Sequence, residues 1–101
     1  MARQIAPVSP GEILLEEFLI PLGISQNKLA KDIGVSVSRI SDIIRKNRTI
    51  TAETAIRLGV YFNTTPKFWV NLQSNYDLKT AKDSFDGKVL VRIERKRAAF
   101  A

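Results

Sequence analysis

The sequence of 101 residues contains neither cysteine nor histidine. Without cysteine it can form no disulfide framework, no thiolate metal site and no thiol nucleophile. Without histidine it lacks the most common general base and the most common zinc ligand. Glycine-rich phosphate loops are missing as well. We therefore expect a protein that is not an enzyme and uses no cofactor or metal.

Long apolar runs and a signal peptide are also lacking. No run approaches the roughly 20 apolar residues of a membrane-spanning helix, so we expect a cytoplasmic protein without a membrane partner. Hydrophobic residues make up 45% of the chain, which is enough for the modest core of one domain.

The charge is unevenly distributed. Sixteen basic and ten acidic residues give a net charge of +6, which favours an anionic partner, with nucleic acid as the first candidate. Residues 25–48 contain six basic and two acidic residues, a net charge of +4. Residues 88–101 contain five basic residues and one acidic residue, again +4. The first predicted helix is instead acidic, with Glu12, Glu16 and Glu17.

Residues 25–48 have the pattern of a helix-turn-helix. We predict a helix over 26–32, a turn at Gly34 and Val35, and a second helix over 36–46. Ser25 and Ser36 are good N-caps, and glycine enters the left-handed conformation that ends the first helix without a steric penalty. A helical hairpin in any small all-α domain is the alternative interpretation.

The second helix of this pattern is apolar on one side, through Ile40, Ile43, Ile44 and Asn47. Its other side carries short polar and cationic side chains, which suits insertion into a DNA major groove. Serines can bond base edges, valine can contact a thymine methyl group, and arginines suit guanine or phosphate. The predicted DNA-binding residues are Gln26, Ser36, Val37, Ser38, Arg39, Ser41, Arg45 and Arg48.

Gln26 has two candidate roles in this pattern, since its amide can bond a phosphate or brace a side chain of the recognition helix. The alternative is that it only forms a solvated helix start. Asp42 is expected to hold Arg39 or Arg45, or to face solvent.

The other helical patterns complete an all-α domain of five helices over residues 9–82, preceded by an arm at 1–8. Ser9 caps the first helix, which Pro21 ends or kinks. In the last helix we expect Phe68 and Leu72 in the core. Trp69, Tyr76 and Leu78 are candidates for a surface that contacts a partner.

Residues 83–101 are predicted to be a C-terminal extension with a basic tail. Residues 88–94 alternate between β-branched and other side chains, which predicts a strand. Because a single strand has unpaired backbone groups, it would pair with a second subunit or with another protein. The alternative is a helix with Val89, Ile93 and Phe100 inward.

Over about residues 9–82 the chain resembles the HigA-type antitoxins, a branch of the lambda-repressor-like (Xre) helix-turn-helix proteins. The segments that carry the resemblance are PGEILLEEFLIPLGIS, the helix-turn-helix itself, RTITAETAIRL and FWVNLQSNYDL. The resemblance implies a five-helix DNA-binding domain that acts as a homodimer on double-stranded DNA of its own operator. It also implies neutralisation of a cognate toxin of the RelE/HigB type, which cuts mRNA. The alternative is an Xre-type transcriptional regulator without a toxin. The acidic first helix is one candidate surface for a basic toxin. The favoured alternative is that its carboxylates only stabilise the positive start of the helix.

Overall fold

The computed structural model describes residues 7–97, and this part of the chain is helical throughout, with short connections. Its six helices, numbered here in chain order, are α1 (residues 10–22), α2 (Gln26–Ile33), α3 (Val37–Ile44), α4 (Ala52–Phe62), α5 (Pro66–Ser84) and α6 (Gly87–Arg95). The all-α prediction is confirmed. The predicted number of five helices is wrong, because the C-terminal extension adds a sixth.

Helix α1 begins with the predicted capping box. The Ser9 hydroxyl accepts a hydrogen bond from the Glu12 N–H, and the Glu12 carboxylate accepts one from the Ser9 N–H. The middle of the helix, Leu14–Leu19, has the wider hydrogen bonding of a π-helix. The helix continues past Pro21 and ends at Gly23, which adopts a left-handed φ of 66°.

The helix-turn-helix is present where the sequence predicts it. The Ser25 and Ser36 hydroxyls accept bonds from the N–H groups of Lys28 and Arg39, at 3.0 and 3.1 Å. Between the two helices Gly34 has a φ of 76°, which ends α2 in the left-handed conformation. Helix α3 is shorter than predicted and ends at Ile44.

The core lies among α1 to α5. Its centre is Trp69, which is fully buried and therefore not the partner-facing residue considered above. The rings of Phe18 and Phe68 lie 5.0 Å from its ring, and that of Phe62 lies 6.2 Å away. The indole N–H donates a hydrogen bond of 2.8 Å to the Thr64 hydroxyl. Phe68, which was expected in the core, is 37% exposed at its edge.

The predicted strand over 88–94 is wrong, since these residues lie in α6. The Asp86 carboxylate accepts a hydrogen bond from the Lys88 N–H at 2.9 Å and so caps the new helix. Val89 and Ile93 are four residues apart, a spacing that fits one face of a helix as well as one face of a strand. Residue 100, invoked in the helical alternative, lies outside the described residues.

None of the helices within residues 7–97 is both long and apolar enough to span a membrane.

Candidate DNA-binding site

Helix α3 presents a polar surface to solvent. Ile40 and Ile43 point into the core and are almost completely buried. On the other side Val37 is 43% exposed, and Ser38 is also exposed. The apolar side therefore holds the helix in the domain, and its N-terminal half offers short side chains that allow close approach of another molecule.

Ser41 and Gln26 join the two helices of the motif. The Ser41 hydroxyl donates a hydrogen bond of 3.0 Å to the Gln26 side-chain oxygen. Of the two roles considered for Gln26, the structure shows the brace. The amide nitrogen of Gln26 has two N–H groups, which can serve a second acceptor, because this bond uses only the oxygen.

Arg39 is half-buried and is held by a residue outside the motif. Its guanidinium lies 3.2 Å from the carboxylate of Glu53 on α4, which also lies 3.8 Å from Arg57. Of the alternatives for Asp42, an ion pair with Arg39 or Arg45 is not formed within the described residues, and the side chain is partly exposed to solvent. Asp42 instead lies 3.9 Å from Arg48. This contact between Arg39 and Glu53 is one that the motif alone does not reveal, because Glu53 comes from the next helix.

The C-terminal end of α3 is cationic. Arg45 is exposed and forms no ion pair with any residue of the described part of the chain. Lys46 has a left-handed φ of 67°, and its ammonium lies 3.2 Å from the Glu12 carboxylate. The hydrogen bond from Lys46, together with that from the Ser9 backbone, lowers the pKa of the Glu12 carboxyl. One basic side chain here is therefore neutralised by α1, while the Arg45 guanidinium remains available.

The loop after α3 is fixed by a buried amide that sequence reasoning missed. The Gln73 side-chain oxygen accepts a hydrogen bond of 2.8 Å from the Ile50 N–H, and its nitrogen donates one of 2.9 Å to Asp77. Arg48 lies in the same loop, so this bond helps to set its position. The only sequence signal was a glutamine within an apolar stretch of α5.

Helix α1 approaches the end of α3 without a side chain between them. A β-carbon built on Gly11 would lie 2.7 Å from the Ile44 Cα and closer still to the Ile43 carbonyl oxygen. Only glycine permits this approach. The sequence offered no sign of this approach, because a glycine near a helix start does not show which other helix lies against it.

Helix α2 is anchored on α4 by polar contacts. The Tyr61 hydroxyl donates a hydrogen bond of 2.7 Å to the Asp32 carboxylate, which also lies 2.9 Å from the Lys28 ammonium. These two contacts lower the pKa of the Asp32 carboxyl, with the Tyr61 bond the larger cause. The same carboxylate raises the pKa values of Lys28 and Tyr61. Arg57 adds a bond to the Ile33 carbonyl at 2.6 Å.

The described residues contain no cluster of three or more acidic side chains that could hold a metal ion.

The chain matches the family model described as helix-turn-helix over residues 15–69. It is 49% identical over 80 residues to virulence-associated protein I of Dichelobacter nodosus, covering 79% of this chain and 74% of that protein. It is 39% identical over 79 residues to antitoxin HigA-1 of Vibrio cholerae, covering 78% and 74% of the two chains.

The solved structure of antitoxin HigA from Pseudomonas aeruginosa, determined with the higBA promoter, is similar in fold. Its TM-score is 0.79 at 45% identity, and the match covers 94% of this chain and 99% of that one. The match thus includes the helix-turn-helix and the residues on both sides of it. From the family model, the sequence identities and the shared fold together, the chain belongs to the helix-turn-helix family and, within it, to the HigA-type antitoxins.

Proposed function

We propose that this antitoxin binds the operator of its own operon as a dimer, represses transcription, and neutralises a RelE-like toxin that cleaves mRNA. The observation that carries the DNA-binding part is the outer face of α3, which combines exposed short side chains with a cationic end. The likeness to a HigA whose structure was determined with the higBA promoter supports DNA binding by this chain.

Direct readout is assigned to the N-terminal half of α3. Val37 offers a methyl surface to thymine, and Ser38 offers a free hydroxyl to a base edge. The Ser36 hydroxyl already accepts a bond from the Arg39 N–H, so its hydrogen remains to be donated. Ser41 is oriented by Gln26, which leaves its lone pairs for a base edge or water.

The arginines are assigned mainly to phosphate. Arg45 has no competing carboxylate within the described residues, so it binds phosphate without first breaking an ion pair. Arg48 has only a loose contact to Asp42, at 3.9 Å. Arg39 must break its ion pair with Glu53, or keep it while also contacting a phosphate. Arg39 therefore contributes less to DNA binding than its position in the motif suggests. Gln26 donates its amide N–H to a phosphate while its oxygen holds Ser41.

A two-fold dimer places the two α3 helices in successive major grooves, with half-sites about 34 Å apart. This geometry predicts an operator with two-fold symmetry. Inserting about 5 bp, half a helical turn, between the half-sites puts them on opposite faces of the duplex. That insertion should abolish the tight complex, whereas inserting a full turn should be less harmful.

The first experiment is a fluorescence-anisotropy titration on the DNA upstream of the gene and on a shuffled duplex, at two salt concentrations. We expect a preference for the native duplex that persists at the higher salt. Equal binding that collapses with salt would mean only that a cationic protein adheres to phosphate, and the assignment of α3 as the recognition helix would fail.

Two variants separate base readout from phosphate contact. Val37→Ala should weaken binding to the native duplex by about 1 kcal/mol and leave binding to the shuffled duplex unchanged. Arg45→Gln should weaken both and reduce the salt slope by about one. Val91→Ala is the matched control, because Val91 is 45% exposed on α6 and Val37 is 43% exposed on α3.

The toxin part is tested separately. The product of the neighbouring reading frame is expressed alone and together with this chain, and growth and mRNA cleavage are measured. Toxicity that this chain relieves by forming a complex supports the antitoxin function. Operator binding without a complex would make the chain an Xre-type regulator that has no toxin partner.

A further inference from the structure

Arg57 on α4 lies against the turn of the helix-turn-helix. Its Nη1 donates a hydrogen bond of 2.6 Å to the carbonyl oxygen of Ile33, the last residue of α2. The last carbonyls of a helix have no partner within that helix. The N–H of Gly34 bonds those of Ala30 and Lys31. Arg57 supplies the donor for the Ile33 carbonyl, which comes next.

The bond to Ile33 holds the Arg57 guanidinium at the turn. A β-carbon built on Gly34 would lie 3.2 Å from Nη1 of Arg57, so the guanidinium packs directly on the backbone of the turn. The partial negative charge at the C-terminus of α2 also favours a cation at this place. Arg57 is therefore held in position by α2, independently of its contact with Glu53.

A second edge of the same guanidinium is only loosely engaged. Nε and Nη2 form an edge that can bind a carboxylate through two parallel hydrogen bonds. The Nε is buried and has no hydrogen-bond partner within residues 7–97. The Nη2 lies 3.8 Å from the Glu53 carboxylate, about 1 Å longer than a charge-assisted hydrogen bond. This edge of Arg57 can therefore bind Glu53 more closely than it does in the free chain.

Glu53 lies between two arginines. Its Oε1 accepts a hydrogen bond of 3.2 Å from Nη1 of Arg39 on α3. Glu53 and Arg57 are four residues apart on α4, a spacing that keeps their side chains neighbours without help from another helix. The Glu53 side chain is 64% exposed, so its carboxylate can turn from one arginine to the other without any change in the core.

We propose that Arg57 is a positioning residue for DNA binding. When Arg39 turns to a phosphate, the Glu53 carboxylate closes on the edge of Arg57 that carries Nε and Nη2. One ion pair thus replaces another, and Glu53 keeps a cationic partner throughout. The inference rests on the proposed binding of DNA, and it assigns a role to a residue that does not itself contact the duplex.

This exchange lowers the cost of releasing Arg39. Without a second cation, the Glu53 carboxylate would compete with the phosphate for Arg39 and would face the negative duplex uncompensated. Arg57 neutralises it with a group that is already fixed at the turn. Because an exposed ion pair contributes little, we expect changes of several-fold in affinity and no complete loss of binding.

The test measures operator affinity and its salt dependence by fluorescence anisotropy for the natural chain, for Arg57→Met, and for Arg57→Met combined with Glu53→Gln. Arg57→Met should weaken operator binding roughly fivefold and reduce the salt slope by about one, because Glu53 then retains Arg39. Adding Glu53→Gln should restore the slope, since Arg39 is then free. A role of Arg57 in the turn alone would not be repaired by a change at Glu53.

Two further variants serve as controls. Lys67→Met removes one positive charge from an exposed position of α5 and should leave the slope unchanged. In an Arg39→Met chain, adding Arg57→Met should reduce the slope no further. A slope that Glu53→Gln does not restore, a further loss in the Arg39→Met chain, or an equal loss with Lys67→Met would each overturn the inference.

Failure of the proposed function gives a different result. A natural chain that binds the native and the shuffled duplex equally would refute specific binding, while the slopes would still show whether Arg57 controls the phosphate contact of Arg39. A natural chain that prefers the native duplex, with an Arg57→Met slope equal to its own, would refute this inference alone. No binding to either duplex would refute both.

A measurement on the natural chain keeps the inference testable if Arg57→Met does not fold, as judged by circular dichroism. The guanidinium N–H signals of Arg39 and Arg57 are followed by NMR while operator DNA is added. Both should shift, although only Arg39 contacts the duplex. In an Arg39→Met chain the same addition should leave the Arg57 signal in place. An Arg57 signal that stays unchanged in the natural chain, or that shifts equally in the variant, would overturn the inference.

Discussion

Replacing Gly11 with alanine tests how α1 is seated on the end of the recognition helix. The added β-carbon would lie 2.7 Å from the Ile44 Cα, whereas ordinary contact begins at 3.4 Å. The backbones must therefore separate by more than 0.7 Å, the difference of these two distances, because the β-carbon would lie closer still to the Ile43 carbonyl oxygen. Backbone atoms cannot rotate away as a side chain can, so α1 has to move as a unit or α3 has to yield.

The cost follows from two opposing effects. Overpacking of a well-packed contact costs about 1–3 kcal/mol, and the upper part of that range applies because both sides are rigid. Alanine is a better helix former than glycine by at most about 1 kcal/mol. We therefore expect Gly11→Ala to lower the free energy of unfolding by about 2 kcal/mol. For a domain of this size, that corresponds to a fall in Tm of about 8–16 °C.

Urea denaturation followed by circular dichroism measures the effect. The control is Gly87→Ala, because a β-carbon on Gly87 meets nothing within 4 Å. The free energy of unfolding of the control should lie within about 0.5 kcal/mol of that of the natural chain. If Gly11→Ala is as stable as the natural chain, α1 does not approach α3 as closely as described.

Three further predictions follow from side-chain contacts. Gln73→Leu leaves the buried Ile50 N–H without an acceptor and should cost about 1–3 kcal/mol of unfolding free energy, measured by urea denaturation. Tyr61→Phe removes the larger cause of the lowered Asp32 pKa, so the carboxyl should titrate nearer its ordinary value of 3.8 by NMR. In the natural chain the contact between Tyr61 and Asp32 stabilises the folded state fully at pH values above 3.8. This stabilisation is lost as the pH falls through the lowered pKa of Asp32 in the folded state. Glu53→Gln frees the arginines that it contacts and should tighten operator binding a few-fold, measured by anisotropy.

Each of these variants has a matched control. Asn71→Leu makes a similar change at an exposed position of α5 and should stay within about 0.5 kcal/mol of the natural chain. Tyr76→Phe removes another tyrosine hydroxyl and should leave the Asp32 titration unchanged. Glu94→Gln removes one negative charge on α6. If it tightens operator binding as much as Glu53→Gln does, the effect reflects net charge and not the contact with Arg39.

Local signals in the sequence were sufficient to predict the position of the helix-turn-helix. Ser25, Gly34 and Ser36 act through their own backbone neighbours, so their roles follow from their positions relative to the apolar pattern. The same holds for the capping box at Ser9. The C-terminal bound of α3 was predicted less accurately. The sequence predicted a helix that continues to residue 46, whereas the helix ends at Ile44.

Contacts between distant segments were not predictable from the sequence. Trp69 is buried partly because Phe18, which is far away in the chain, packs against its ring. Gln73 is satisfied by Ile50 from a loop 23 residues earlier. Such pairings depend on how the helices pack and leave no periodic pattern in a single sequence.

The prediction for residues 88–94 failed for a different reason. β-Branched residues favour strands mainly when a neighbouring strand is available to pack against. The described part of the chain offers α6 no such neighbour. Asp86 serves as an N-cap and makes the helix locally favourable.

Burial of the indole at the centre of the domain gives the protein a built-in optical reporter. Trp69 is the chain's single tryptophan, and its ring neighbours Phe18 and Phe62 pack against the core. Its emission should shift to longer wavelength only when α1, α4 and α5 separate, and should be insensitive to melting of α6. Comparing emission with circular dichroism during denaturation would therefore separate unfolding of the domain from melting of α6, without attaching any dye.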